Sequence, residues 1–319
     1  MAIKRSAPAQ TGLFSPGLQG VLFFCCGLFL LSGSDGVVKY LSDYFSPLMI
    51  AVFRFGVQTA MVVVIAFAKG IRLSNLWREL TPVQIFRASF LVLASLQFIV
   101  AFKYLPLTDV IAIFFIQPMI LTGLSAVVLK EDVGPRRWAA VLFGFIGVLV
   151  IVRPGSGIFG IYALLPVGAA TAFALYLMMT RKLSGQASVL GAQLAIGLTG
   201  TIVMVPALLV MMVLGLGEPP VLEARPDSWL VPSFFLVFLA AFALAGQGLL
   251  IMAFERASAS LLAPLSYVEI ISATLIGFFF FNEIPDTAVW LGVGILAASG
   301  IYLAHRERIA ARANKISPP

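Results

Sequence analysis

The chain has 319 residues, of which 61% are hydrophobic and only 11% charged, and its mean hydropathy is +1.04. That composition excludes a soluble domain, which needs polar surface over its core, whereas a bilayer accepts apolar side chains outside as well as within. A formal charge of +7 would suit a nucleic-acid binder, but the basic residues follow the alternation of membrane loops, so no nucleic acid is expected as a partner.

Apolar runs of about 20 residues exclude a β-barrel, whose strands alternate over about ten, and predict spanning helices. Residues 1–17, with Lys4, Arg5 and Pro8, read as a polar cytoplasmic tail without a signal-peptide cleavage site. The first span, 18–40, holds adjacent Cys25 and Cys26, which read as packing residues, and ends in LSGSDGVVKYLSD. There Asp35 and Lys39 stand four apart on one helix face, with Gly33 and Gly36 loosening the backbone. The second span, 47–68, opens on Pro47 and carries Arg54 about 10 Å into the membrane at 1.5 Å per residue. Further spans are expected at 84–104, 108–129 and 135–152, then, after a glycine-rich linker at 153–158, at 159–180, 188–213, 229–254, 258–281 and 285–304. Residues 305–319 form a basic cytoplasmic tail. Of the 21 basic residues, sixteen fall on one side of this layout, four on the other, and Arg54 within a span, which places both termini in the cytoplasm of an inner-membrane protein.

The sequence aligns with itself at an offset of 152, which brings Thr122 onto Thr274, Glu131 onto Glu283 and Trp138 onto Trp290. Repeats of five helices, an odd number, must enter the membrane from opposite faces. The expected fold is thus an all-α membrane protein of ten transmembrane helices in two inverted-topology five-helix repeats, 18–152 and 159–304. Ala170-xxx-Ala174, Ala241-xxx-Ala245 and Gly294-xxx-Ala298 offer close helix contacts.

The stretch YLPLTDVIAIFFIQPMILTGLSAVVLKEDVGPRRWAAVLFGFIGVLVIVRPG resembles the EamA repeat of the drug/metabolite transporter superfamily. The turn Leu105-Pro106-Leu107, Pro118, the helix end Lys130-Glu131, Trp138 and Gly147 carry the likeness. LSGSDGVVKYLSDYFSPLMIAVFRF resembles that repeat's first two helices, and ASASLLAPLSYVEIISATLIGFFFFNE is a second copy with Ile270 where the repeat has proline. The resemblance implies a ten-helix carrier of small organic molecules, in a branch where some members move riboflavin or S-adenosylmethionine and others export amino acids.

An ionisable group at mid-membrane costs roughly 2.5–3.5 kcal/mol, so each one is a candidate for function. Glu269 is central in its span and matches Gln117 at offset 152, so the two are expected to share a polar chamber between the halves. Glu269 reads either as a substrate contact or protonatable carrier group, or as a hydrogen-bonded structural glutamate; Ser266, Ser272 and Ala273 share its face. Arg54 either binds a substrate carboxylate or phosphate, or neutralises Asp35. Asp35 and Lys39 form the expected outer gate or charge pair, Lys39 also reading as an interfacial anchor. Gln97, Gln247, Tyr176 and Tyr267 are candidate lining groups or helix-packing hydrogen bonders.

A single histidine, His305, excludes histidine-rich metal sites and zinc-protease motifs; without a Gly-Lys phosphate loop ATP does not drive the protein, and no Ser-His or Cys-His pair supports nucleophilic catalysis. No enzyme activity, cofactor or metal is expected. The expectation is a secondary transporter of a small polar or zwitterionic metabolite working by alternating access, with the small-molecule substrate and the bilayer as partners and a homodimer left open. An uncoupled facilitator or a lipid scramblase is the alternative.

Overall fold

A computed structural model describes residues 15–41, 44–104, 113–152, 161–214 and 230–281, with scattered positions from 287 to 302. The tail before residue 15, the turn at 105–107, the linker 153–158, Glu283 and the basic tail from 305 lie outside the described residues, as do much of the expected last span and the side chain of Lys39.

The described chain is helical. Helix α1 (Pro16–Leu41) starts at Ser15, whose Oγ accepts the Leu18 amide. Helix α2 (Pro47–Ala68) starts at Ser46, whose Oγ accepts the Met49 amide, and proline follows directly as the first helical residue. Gly70 at φ +65° turns the chain into a short helix, α3 (Leu73–Glu79), which the sequence reading placed in a loop. It meets α4 (Pro82–Tyr104) at a 79° bend. Then follow α5 (Gln117–Val127), α6 (Pro135–Val152), α7 (Leu164–Lys182), α8 (Val189–Val213) and α9 (Leu230–Arg256). The expected span at 258–281 is broken into α10 (Ala259–Leu262), a 3-10 segment (Ala263–Tyr267) around Pro264, and α11 (Val268–Phe281). Five described helices are long and apolar enough to cross a membrane, or six if the bent α3–α4 pair is one span.

Helix α1 runs antiparallel to α9. Gly20 faces Ala257, Gly27 faces Gly246 and Leu250, Gly33 faces Phe242, and the Tyr40 and Phe235 rings stand 4.6 Å apart. Glycine meets glycine here: a Cβ on Gly27 would stand 3.0 Å from the Gly246 carbonyl oxygen and would collide with Leu250 Cδ1. Association in lipid rests on such close packing, because burial of apolar surface gives no advantage there. We expect Gly27→Ala to lower thermal stability, by about 1–3 kcal/mol, the cost of overpacking a fixed backbone; a melting curve in detergent equal to that of the parent would refute it. The small-residue spacings behave unevenly: Ala170 and Ala174 are fully buried, whereas Ala245 is exposed and a Cβ on Gly294 would meet open space.

On the other flank, α2 packs against α8, with Phe55 over Gly200 and Thr59 over Gly197. The Gln58 amide donates to Gln193 Oε1 at 2.8 Å, and Gln193 Nε2 donates to the Leu244 carbonyl of α9 at 2.8 Å. This chain of buried amides ties three helices together where lipid supplies no hydrogen-bond partner.

Candidate functional site

Three charged side chains converge. Asp35 of α1, Arg54 of α2 and Glu269 of α11 lie close enough for the Asp35 charge to act on both of the others. Their helical positions explain how. In α1 the lipid-facing stripe runs through Leu18, Leu22, Cys26 and Phe29. At 100° per residue Asp35 falls on the far side of that stripe, yet it is exposed. Arg54 and Glu269 are half-buried. Asp35 is exposed and Arg54 and Glu269 only partly covered, so all three keep some contact with the surroundings, while α11 packs directly on α1.

The break before α11 sets the position of Glu269. Its carbonyl oxygen accepts Ser32 Oγ at 3.2 Å and Ser272 Oγ at 3.0 Å, and the two hydroxyls stand 2.8 Å apart, which locks α11 to α1. Its carboxylate is left free of that lock. No ion pair joins Asp35 to Arg54 among the described residues. The Arg54 guanidinium lies 5.7 Å from the centre of the Phe55 ring, and its Nε is buried without a protein partner. Buried polar atoms without partners recur nearby in the sequence pattern: Gln117 Nε2, Gln97 Oε1, Ser34 Oγ and Ser266 Oγ. Such atoms are costly in a finished protein core, and a bound solute or water would satisfy them.

Tyr176 lies within electrostatic reach of Arg54. Fully buried on α7, it donates through its hydroxyl to Gln247 Oε1 of α9 at 2.7 Å and stacks on Phe173 at 5.9 Å. Arg54 and Arg87 both interact with it electrostatically. Tyr267 is placed otherwise: its ring fills the space beside Gly144, where a Cβ would collide with it, and its hydroxyl donates to the Val141 carbonyl at 3.1 Å. Both Tyr267 and the Tyr176–Gln247 pair therefore hold helices in this conformation. Gln97 packs its amide against Gly168 of α7.

Arg87 is a further buried cation, inside α4 near its Pro82 start: its guanidinium lies 5.8 Å from the Tyr176 ring centre, and Nη2 donates to the Ala192 carbonyl at 3.1 Å. No group of three or more histidine, cysteine, aspartate or glutamate residues suited to a metal ion occurs among the described residues.

Two segments of the chain, residues 18–153 and 160–305, match the EamA-like transporter family. The chain belongs to that family. It is a multi-pass membrane transporter and not an enzyme. Similar proteins include the riboflavin transporter of Vibrio cholerae serotype O1, 28% identical over 299 residues, 91% of this chain and 94% of that one. The S-adenosylmethionine uptake transporter of Rickettsia bellii is 24% identical over 296 residues, 91% of this chain and 95% of that one. A riboflavin transporter of Rhizobium johnstonii is 29% identical over 241 residues, 72% and 71% of the two chains. A solved crystal structure with 17% identity, covering 89% of this chain and 96% of its own, superposes with a TM-score of 0.71 and shares the fold.

Proposed function

We propose that this family member is a secondary active transporter that carries a small zwitterionic or polar metabolite across the cytoplasmic membrane by alternating access, both termini facing the cytoplasm. The supporting observation is the charge set itself: two carboxylates, Asp35 and Glu269, and one guanidinium, Arg54, near enough for the Asp35 charge to act on both others, with no ion pair between Asp35 and Arg54. Mutually neutralised charges would read as helix glue; here Arg54 Nε has no protein partner, while the carboxylates stand apart from it. A solute carrying both an ammonium or sulfonium and a carboxylate would complete the set, the guanidinium taking the carboxylate and the two acids the cation. The relatives named for S-adenosylmethionine fit that charge pattern, and those named for riboflavin direct attention to a planar heteroaromatic ring. Two five-helix repeats in inverted orientation agree with the two matched segments and with the antiparallel pairing of α1 and α9.

Purified protein in proteoliposomes is expected to exchange labelled S-adenosylmethionine for unlabelled substrate on the other side. Counterflow requires a carrier whose loaded site changes faces, so uptake without trans-stimulation would favour an uncoupled facilitator. Riboflavin and neutral amino acids serve as competitors; a protein that exchanges riboflavin and ignores S-adenosylmethionine overturns the zwitterion reading.

A further inference from the structure

The motif Lys130-Glu131 has no part in the charge set just described, yet Glu131 makes several contacts. Its Oε1 accepts Arg181 Nε at 3.3 Å and the Ala259 amide at 3.2 Å, and its Oε2 accepts the Ser260 amide at 3.0 Å. Arg181 in turn donates through Nη1 to the Phe254 carbonyl at 2.6 Å, and Arg137 Nη1 donates to Ser260 Oγ at 2.6 Å. Glu131 and Arg137 belong to the first matched segment; Arg181, Phe254, Ala259 and Ser260 belong to the second. One carboxylate thus fastens the end of α5 to the end of α7, the end of α9 and the start of α10.

The place of this fastening matters as much as its bonds. Gly20 of α1 faces Ala257 while Tyr40 meets Phe235, so residues 254–260 lie level with the beginning of α1. Asp35 lies near the other end of α1, where the two matched segments meet through apolar and aromatic side chains, Val37, Leu41 and Tyr40 against Leu236, Leu239 and Phe235. The hydrogen-bonded ion pair between the segments thus stands at the end of α1 away from Asp35. Because α10, the 3-10 segment and α11 follow one another without interruption, freeing residues 259–260 would also release the segment that positions Glu269.

We propose that Glu131, with Arg181 and Arg137, is an inter-repeat clasp that closes the site at the α7–α9 end, and that it must break before the site opens there. The clasp rests on the transporter reading for its role in a cycle, but its own test requires no substrate. In a Cys25→Ser/Cys26→Ser background, Ser266→Cys supplies a thiol of similar size at a buried hydroxyl that lies between the clasp and Glu269. A membrane-impermeant maleimide is applied in turn to each face of oriented vesicles. With the clasp intact, labelling from the clasp side is expected to be slow. Glu131→Ala and, separately, Arg181→Gln are expected to raise it about tenfold or more, since removal of charge-assisted hydrogen bonds from one state shifts a two-state equilibrium by such factors. Clasp-side labelling unchanged in both variants, in protein that remains monodisperse, overturns the proposal. Should Glu131→Ala fail to fold, Arg181→Gln and Arg137→Gln decide it alone, because each leaves the Glu131 contacts with the Ala259 and Ser260 amides in place. Faster labelling in a protein that exchanges no solute would leave the clasp standing and sink the transporter reading instead.

Discussion

Replacing Glu269 by glutamine is expected to abolish the dependence of transport on an imposed pH gradient while the protein stays folded. Glutamine preserves size and hydrogen bonding but takes no proton, and the contacts that fix this residue, Ser32 and Ser272 on its carbonyl oxygen, are made by its backbone. The side chain is only partly covered and feels the Asp35 charge. A carboxylate beside a second carboxylate in an enclosed space is the arrangement in which binding of a proton and of a cationic solute compete. Uptake into proteoliposomes with and without a gradient, set against an unchanged melting temperature, measures the effect. Gradient-driven uptake that persists in Glu269→Gln makes the residue structural and moves any coupling to Asp35.

Arg54→Gln is expected to weaken substrate binding by about 10- to 100-fold, with Arg54→Lys recovering part of the loss. The range corresponds to one charge-assisted hydrogen bond of about 1.5–3 kcal/mol. If Arg54 only neutralised Asp35, removing it would leave an uncompensated carboxylate and lower stability, with affinity changed little. The free Arg54 Nε and the lack of an ion pair with Asp35 argue for the first outcome. Isothermal titration of the substrate found by counterflow, read beside thermal melting, separates the two: loss of stability with intact affinity refutes the binding role.

Helix starts were the most legible part of the fold. Pro47, Pro82 and Pro135, and Ser188 before α8, mark real boundaries, because proline and a serine cap solve the problem of unpaired amides locally. The break at Ala263–Tyr267 was hidden for a physical reason: in a run apolar on all faces, periodicity carries no information about where a helix stops, and Pro264 was the lone local hint. Short α3 was missed because it is too brief to span, and packs Leu76 inward from the membrane edge.

Of the site, the charged residues were legible because lipid makes any unneeded charge expensive. The expected chamber paired Glu269 with Gln117 and left Asp35 as an outer gate; in the structure the Asp35 charge acts on both Arg54 and Glu269, although the three are 19 to 234 positions apart in sequence. What spacing could not reveal was which polar groups satisfy one another. Tyr176 and Gln247 are 71 residues apart and spend their hydrogen-bonding capacity on each other, and Tyr267 spends its hydroxyl on a backbone carbonyl. Glu131 stood out only as a repeated letter, because the backbone amides it binds lie 128 and 129 residues away.

The five residues from Ala263 to Tyr267 also fix a phase. A 3-10 turn takes three residues and rises about 2.0 Å per residue, against 3.6 residues and 1.5 Å in an α-helix. Over five residues the difference is about 2.5 Å of length and about 100° of rotation, so this segment acts as a screw thread between the clasp and α11. The rotation of α11 about its own axis, and with it the helix face that carries Glu269, is therefore set by the winding of the residues before it.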